Sequence, residues 1–160
     1  MLAGDLVKGL FAVFVLAAAA CGPTSERLPA GTVQLRFSAA DSVRRSSQLT
    51  SPLVGTVYGA LFLAEDVGVT GPRSGAEQVS SVEVADVDLR TSTTSDTGWT
   101  SEALRVGDYV FLGFMDVNGN GAGERNPDAG DPVTQALANK FTIQDNAEAK
   151  RIVLFELVFN

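Results

Sequence analysis

Thr32-Val-Gln-Leu-Arg-Phe37 places Val33, Leu35 and Phe37 on one side of an extended chain and Gln34 and Arg36 on the other. A period of two fits a strand with one face in a core and one in water, whereas a helix repeats every three to four residues. The same pattern continues along the chain. Val79 to Leu89 sets Val79, Val82, Val84, Val87 and Leu89 against Glu83, Asp86 and Asp88. Its phase slips at Ser80-Ser81 and again at Ala85-Asp86, which predicts a bulge or bend at each. Leu53 to Leu63 carries Val, Tyr and Phe interrupted by Gly55 and Gly59, the composition of a buried strand with close packing or a bulge at its glycines.

Four further segments read as strands: Trp99 to Leu104, Tyr109 to Met115 after a turn at Val106-Gly107-Asp108, Phe141 to Ile143, and Ile152 to Phe159 after a polar turn from Gln144 to Lys150. In the last, alternation predicts Ile152, Leu154, Glu156 and Val158 on one side and Val153, Phe155, Leu157 and Phe159 on the other. Helix signals are weak, since Asp41 to Gln48 is polar and Thr134 to Asn139 spans little more than one turn. Short strands at this spacing predict an all-β chain, an antiparallel β-sandwich of about seven strands in one domain over residues 32–160. Trp99, Tyr58, Tyr109, Phe111 and Phe114 belong to its core rather than to a sugar-stacking surface. Glu83, Asp86 and Asp88 belong to its wet face, and Arg44-Arg45 to solvent.

The chain has 160 residues, 45% of them hydrophobic, a net charge of −7, one cysteine and no histidine. Without histidine there is no Ser-His-Asp or Cys-His nucleophile and no His-ligated zinc. One cysteine makes neither a CxxC pair nor an internal disulfide. The acidic balance argues against nucleic acid, whose binding draws most of its affinity from clustered Lys and Arg.

Sixteen of the first twenty residues are apolar, and Leu10 to Ala20 runs eleven residues without a polar side chain. A bilayer span needs about 20. The run instead fits the apolar centre of a secretory signal preceded by Lys8, and it ends in Ala18-Ala-Ala-Cys21-Gly22. Small residues before the single cysteine resemble a bacterial lipobox. That resemblance implies cleavage before Cys21, a diacylglycerol on its thiol and usually an acylated amino group. Gly22, rather than Asp, after the cysteine favours the outer membrane if the host is Gram-negative. A plain secretory signal with Cys21 as a free thiol is the alternative. Gly22 to Gly31, with two prolines and no apolar period, reads as a tether. The expected map is a signal peptide at 1–20, a tether at 21–31 and a domain at 32–160, anchored by lipid in the bacterial cell envelope.

One segment carries chemistry: Asp116-Val-Asn-Gly-Asn-Gly-Ala-Gly-Glu-Arg-Asn-Pro-Asp-Ala-Gly-Asp131, followed by Pro132. Asp116, Asn118 and Asn120 recur at every second position, and Gly121 permits a sharp turn around a common centre. Calcium takes six to eight oxygen ligands, which gives the spacing a mechanism. The opening resembles the first half of an EF-hand loop, although the twelfth position from Asp116 is Pro127 rather than Glu. An aromatic strand followed by D-x-N-x-N-G and then Asp128-Ala-Gly-Asp131-Pro132 is more similar to B-type adhesin repeats and to prealbumin-like, carboxypeptidase-regulatory-like domains.

This resemblance implies an Ig-like or prealbumin-like sandwich binding calcium through Asp116, Asn118, Asn120, Asp128 and Asp131. The Ala122 carbonyl is a further candidate ligand, and Glu124 a candidate substitute for Asp128. About four extra residues, near Glu124 to Pro127, separate the two halves. The competing reading is that Asn, Asp and Gly are ordinary turn formers in a surface loop.

The function these features predict is a membrane-tethered, non-catalytic structural or binding module with an envelope protein or glycan as partner. A small carboxylate- or metal-dependent envelope hydrolase and a carrier of apolar ligands are the alternatives.

Overall fold

A computed structural model describes residues 27–160. The signal segment, Cys21 and the tether as far as residue 26 lie outside the described residues. The described chain is all-β: β1 (Ala30–Ala39), β2 (Val54–Leu63), β3 (Val67–Gly68), β4 (Gly71–Pro72), β5 (Ser80–Asp88), β6 (Gly98–Thr100), β7 (Leu104–Arg105), β8 (Gly107–Asp116), β9 (Pro132–Val133), β10 (Lys140–Ile143), β11 (Glu148–Phe155) and β12 (Leu157–Val158). One helical turn, α1 (Asp41–Arg44), and one 3-10 turn at Ala64–Asp66 interrupt it.

In the smaller of two main sheets β1 pairs with β11, β6 and β7; the larger runs β12-β9-β8-β2-β5, with β10 also on β8. Strands β3 and β4 form a separate small hairpin. Inward residues of both main sheets meet in one core: Val33, Leu35 and Phe37 from β1, Val57 and Leu61 from β2, Phe111 and Met115 from β8, and Phe155 from β11. The Phe37 ring joins the sheets, with centroids 6.1 Å from Phe111 and 6.2 Å from Phe155. Each such aromatic contributes about 1.5–3 kcal/mol by leaving water. Gly59 and Gly113 face each other across β2 and β8, and the Phe111 ring lies over both. A Cβ on Gly59 would stand 2.5 Å from Phe111 Cζ, so these strands accept no side chain there.

The phase slip at Ala85-Asp86 is a bulge. Val57 pairs with Val84 and Gly55 with Val87, so two residues of β5, Ala85 and Asp86, stand against one of β2, Thr56. Asp86 takes φ +56°, and Val84 and Val87 both point inward as a result. At Ser80-Ser81 there is no bulge: both residues keep register with β2, and Val79 lies outside the strand, exposed.

Several expectations are corrected. The pairing is not wholly antiparallel, because β1 and β11 run parallel from Thr32↔Glu148 to Ala39↔Phe155. All of the larger sheet except β12 lies between them in the chain, so no hairpin dictates their relative direction. Strand β1 begins at Ala30, inside the expected tether, where Ala30 and Gly31 pair with Arg105 and Leu104. Trp99 to Leu104 is two pieces. Between them Ser101 bonds Val33 twice, its Oγ accepting the Val33 N–H and its own N–H donating to the Val33 carbonyl, each at 2.9 Å.

Nor is Ile152 to Phe159 one strand. Val153 and Phe155 are buried in the smaller sheet, and then Glu156 donates its N–H to the Val133 carbonyl at 3.1 Å and carries the chain to the larger one. Thr134 to Asn139 forms no helix; the Asn139 side chain bonds the Leu154 N–H and carbonyl and so links the two sheets. Arg44 is not simply solvated, since its guanidinium donates to the carbonyls of Ala39, Leu89 and Ser92. Tyr58, Tyr109, Phe111 and Phe114 are buried as expected, and Glu83 and Asp86 are exposed.

Candidate metal centre in the loop 116–131

The loop leaves the core at Asp116, the last residue of β8, whose side chain is buried. A short acceptor side chain at a strand end captures the next free backbone donors. Asp116 Oδ1 accepts the Gly119 N–H at 2.7 Å, and Oδ2 accepts the Gly121 N–H at 2.9 Å. The left-handed residue of this turn is Gly119, at φ +80°, and not Gly121. Gly121 serves instead by smallness, for a Cβ there would meet Asp116 Oδ2 at 3.1 Å and Phe114 Cε2 at 3.2 Å.

Asn118 and Asn120 stand on the exposed side of the turn and both reach the carboxylate of Asp128. Asn118 Nδ2 lies 3.1 and 3.2 Å from its two oxygens, and Asn120 Nδ2 lies 2.6 Å from Oδ2. Asn118 Oδ1 accepts the Asn120 N–H at 3.1 Å. Asp131 closes the loop from beneath, Oδ1 accepting the Val117 N–H at 3.2 Å and Oδ2 the Asp128 N–H at 3.1 Å. The last turn is fixed to the C-terminal segment, because Gly130 N–H donates to the Phe159 carbonyl and Phe159 N–H to the Asp131 carbonyl, at 3.0 and 2.8 Å.

The structure therefore joins Asn118, Asn120 and Asp128 through their side chains, with Asp131 on the Asp128 backbone, while Asp116 holds Gly119 and Gly121 and makes no hydrogen bond to the other four. Ala122 and Glu124 lie on the exposed turn and take no part in these hydrogen bonds. Asp128, not Glu124, is the carboxylate that the two asparagines meet. Electrostatics separate the two late acids. Burial pushes the Asp131 carboxyl up to about 6, with the nearby Asp128 carboxylate adding to the effect, while hydrogen bonds from Asn120 and Asn118 hold Asp128 below the usual carboxylate range.

The donor set fits a hard cation: three carboxylates and two amides, all able to present oxygen. Among the described residues no three His, Cys, Asp or Glu side chains are already arranged as a metal-holding group. The amide oxygens are thus essential to the fit. A half-turn of each Asn amide exchanges nitrogen for oxygen on the side facing Asp128. Asp116 and Asp131 keep a lone pair on each oxygen beyond the backbone bonds they accept.

Arg125, which the sequence did not single out, fixes the extra residues. Its backbone N–H donates to the Gly121 carbonyl at 2.9 Å, its guanidinium pairs with Glu83 at 2.7 Å, and it lies 5.7 Å over the Tyr58 ring. The loop is thereby clasped to β5 and β2. The only hint in the sequence is one base among four acids between positions 116 and 131.

No family model matches this chain, and no curated protein matches it. Among solved structures, a leucine-rich repeat protein from Bacteroides thetaiotaomicron VPI-5482 aligns with 82% of this chain and 15% of its own length, at 14% identity and a TM-score of 0.39. The chain spans well under a quarter of that protein, and a likeness of this degree supports no inference about fold or function.

Proposed function

We propose that this chain is a non-catalytic lipoprotein of the bacterial cell envelope, held on the membrane through acylated Cys21, at the outer membrane in a Gram-negative host. Its domain is read as an Ig-like or prealbumin-like sandwich, a structural or binding module for an envelope protein or glycan, whose loop 116–131 is stabilised by calcium. Seven strands of three or more residues around one core support the architectural part.

The hydrogen-bonded group of Asn118, Asn120, Asp128 and Asp131, with Asp116 holding the start of the same loop, carries the calcium part. When bound, the cation would supply positive charge to the carboxylates of the loop. The chain's own residues do the positioning: Asp116 and Asp131 set the loop on backbone N–H groups, and Asn118 and Asn120 hold Asp128 toward them. Asp131 has the raised pKa of a general acid, yet it is fully buried with both oxygens bonded to backbone, which favours a structural role over proton transfer.

Calcium titration by calorimetry tests the loop, with binding expected in the native chain and lost in Asp128→Ala. Mass spectrometry of membrane-extracted protein tests the anchor, with diacylglycerol and acyl mass expected on Cys21. No heat of binding contradicts the first part, and an unmodified Cys21 the second.

A further inference from the structure

Register fixes which segments share one end of the domain. Ala30 pairs with Arg105, Gly31 lies against Ile143, Ile143 pairs with Gly107, Tyr109 with Leu63, and Leu61 with Ser80. The entry of the chain at 27–29, the excursion 64–79 between β2 and β5, and Val106 between β7 and β8 therefore emerge together. Loop 116–131 leaves β8 at its other end, ten residues along the strand and roughly 30 Å away.

Exposed apolar side chains collect at the entry end. Seven large ones are exposed among the described residues, and four of them are here: Leu28 at 62%, Val69 at 84%, Val79 at 42% and Val106 at 48%. Val69 is the tip of the β3–β4 hairpin, and Val106 donates its N–H to the Pro29 carbonyl at 3.3 Å, next to Leu28. Val79 and Val106 edge a half-open cleft of about 810 Å³ that Trp99 also lines. Singly exposed aliphatic residues are ordinary, but four gathered at one end of a domain mark a surface that contacts something.

We propose that this end of the domain docks on a lipid bilayer, with Leu28, Val69, Val79 and Val106 entering the interface. The proposal rests on the anchor reading, and chain length selects the occupant. Only eight residues separate Cys21 from Ala30, a reach of at most roughly 30 Å, and the chain enters at the very end that carries the apolar rim. A lipid on Cys21 keeps this end, and not the loop end, at the membrane surface. The contact is apolar rather than electrostatic, since within 27–29, 64–79 and 102–106 the acids Glu65, Asp66, Glu77 and Glu102 outnumber Arg27, Arg73 and Arg105. Zwitterionic lipid suffices, and salt does not release it.

The test uses the full chain with Val69→Trp as reporter and Trp99→Phe to remove the native indole. It is held on phosphatidylcholine vesicles through Cys21, by its own acyl chains where mass spectrometry finds them and otherwise by coupling the thiol to a maleimide lipid. An unacylated Cys21 thus overturns the anchor reading without preventing this measurement. The expected result is blue-shifted emission quenched about twofold or more by chain-brominated lipid, unchanged in about 0.5 M salt. A Leu157→Trp reporter, on β12, stays unquenched. Three results overturn the proposal: a reporter at 69 that bromine does not quench, quenching abolished by salt, or an equal blue shift without vesicles as protein concentration rises, which would mean that a second copy covers the rim.

Discussion

Asn120 Nδ2 meets Asp128 Oδ2 at 2.6 Å across the loop, between an amide that follows β8 and a carboxylate just before β9. The bond closes a loop whose two halves are each held independently, one by Asp116 and the other by Asp131. Because the Asn120 and Asp128 side chains reach solvent, their bond contributes little to folding. Asp128→Ala is therefore expected to leave the metal-free protein folded, with a urea midpoint close to that of the native chain. A collapse of stability without metal would show that the loop is a folding element first.

The buried carboxyl of Asp131 gives the loop a pH dependence. Its folded pKa, about 6, lies above the reference 3.8, so the protonated form favours the folded state. Without calcium, this contribution is fully present below about pH 3.8 and is lost as pH rises through about 6. Asp128 is shifted the other way, and its contribution is lost as pH falls below the ordinary carboxylate range. Carbon-13 NMR of the Asp131 carboxyl in chelator should titrate near 6. Saturating calcium should move that titration downward, because the cation favours the charged form. A midpoint near 4 in chelator would contradict the burial argument.

Arg125→Ala removes an ion pair and a ring contact that are both partly solvated, at a cost of about 1 kcal/mol. The larger expected effect is on the loop, which loses its clasp to β5 and β2. Backbone amide exchange at 121–128 should quicken several-fold while exchange in β1 stays the same. Equal exchange rates at 121–128 in the two proteins would show that the clasp does not order the loop.

Gly113→Ala tests the packing of β2 against β8. The added methyl would stand 2.3 Å from the Tyr58 carbonyl oxygen and 2.8 Å from Phe111 Cζ. Overpacking at such a site costs about 3 kcal/mol or more, so the variant should unfold at clearly lower denaturant. Native-like stability would mean that the two strands separate easily.

Ser101→Ala leaves the Val33 N–H, buried in the strand ladder, without its acceptor. The expected loss is about 1–3 kcal/mol, measured by denaturant titration. Ser101→Thr keeps the hydroxyl and should retain most of the stability, which separates the lost acceptor from a packing defect.

Local rules made part of this legible. The inward set Val33, Leu35 and Phe37 follows from alternation alone, and the bulge at Asp86 follows from a break in it. That Asn118, Asn120 and Asp128 meet in one turn is in keeping with their spacing and with turn chemistry. What escaped is non-local. Alternation states which side chains share a face but not which strand lies beside them or in which direction, so the parallel β1–β11 pair leaves no mark on either segment. Ile152 to Phe159 alternates without a break although the chain changes sheets at Glu156, because both sheets want the same period. Ser101, Asn139 and Arg44 replace backbone partners with side chains, and polar residues of that kind look like loop in a sequence. In the loop, spacing could not reveal that Gly119 supplies the left-handed turn, or that Ala122 and Glu124 stay outside the network.

Thermal unfolding of the full chain in detergent, with excess calcium and with chelator at neutral pH, tests the calcium-stabilised module most directly. At a hundred times the dissociation constant, calcium should add about 2.7 kcal/mol. That corresponds to a rise in Tm of roughly 5–15 °C for a domain of this size, absent in the Asp116→Ala, Asp128→Ala double variant. Superimposable curves with calcium and with chelator would contradict it, leaving Asp116 to Asp131 as a hydrogen-bonded turn.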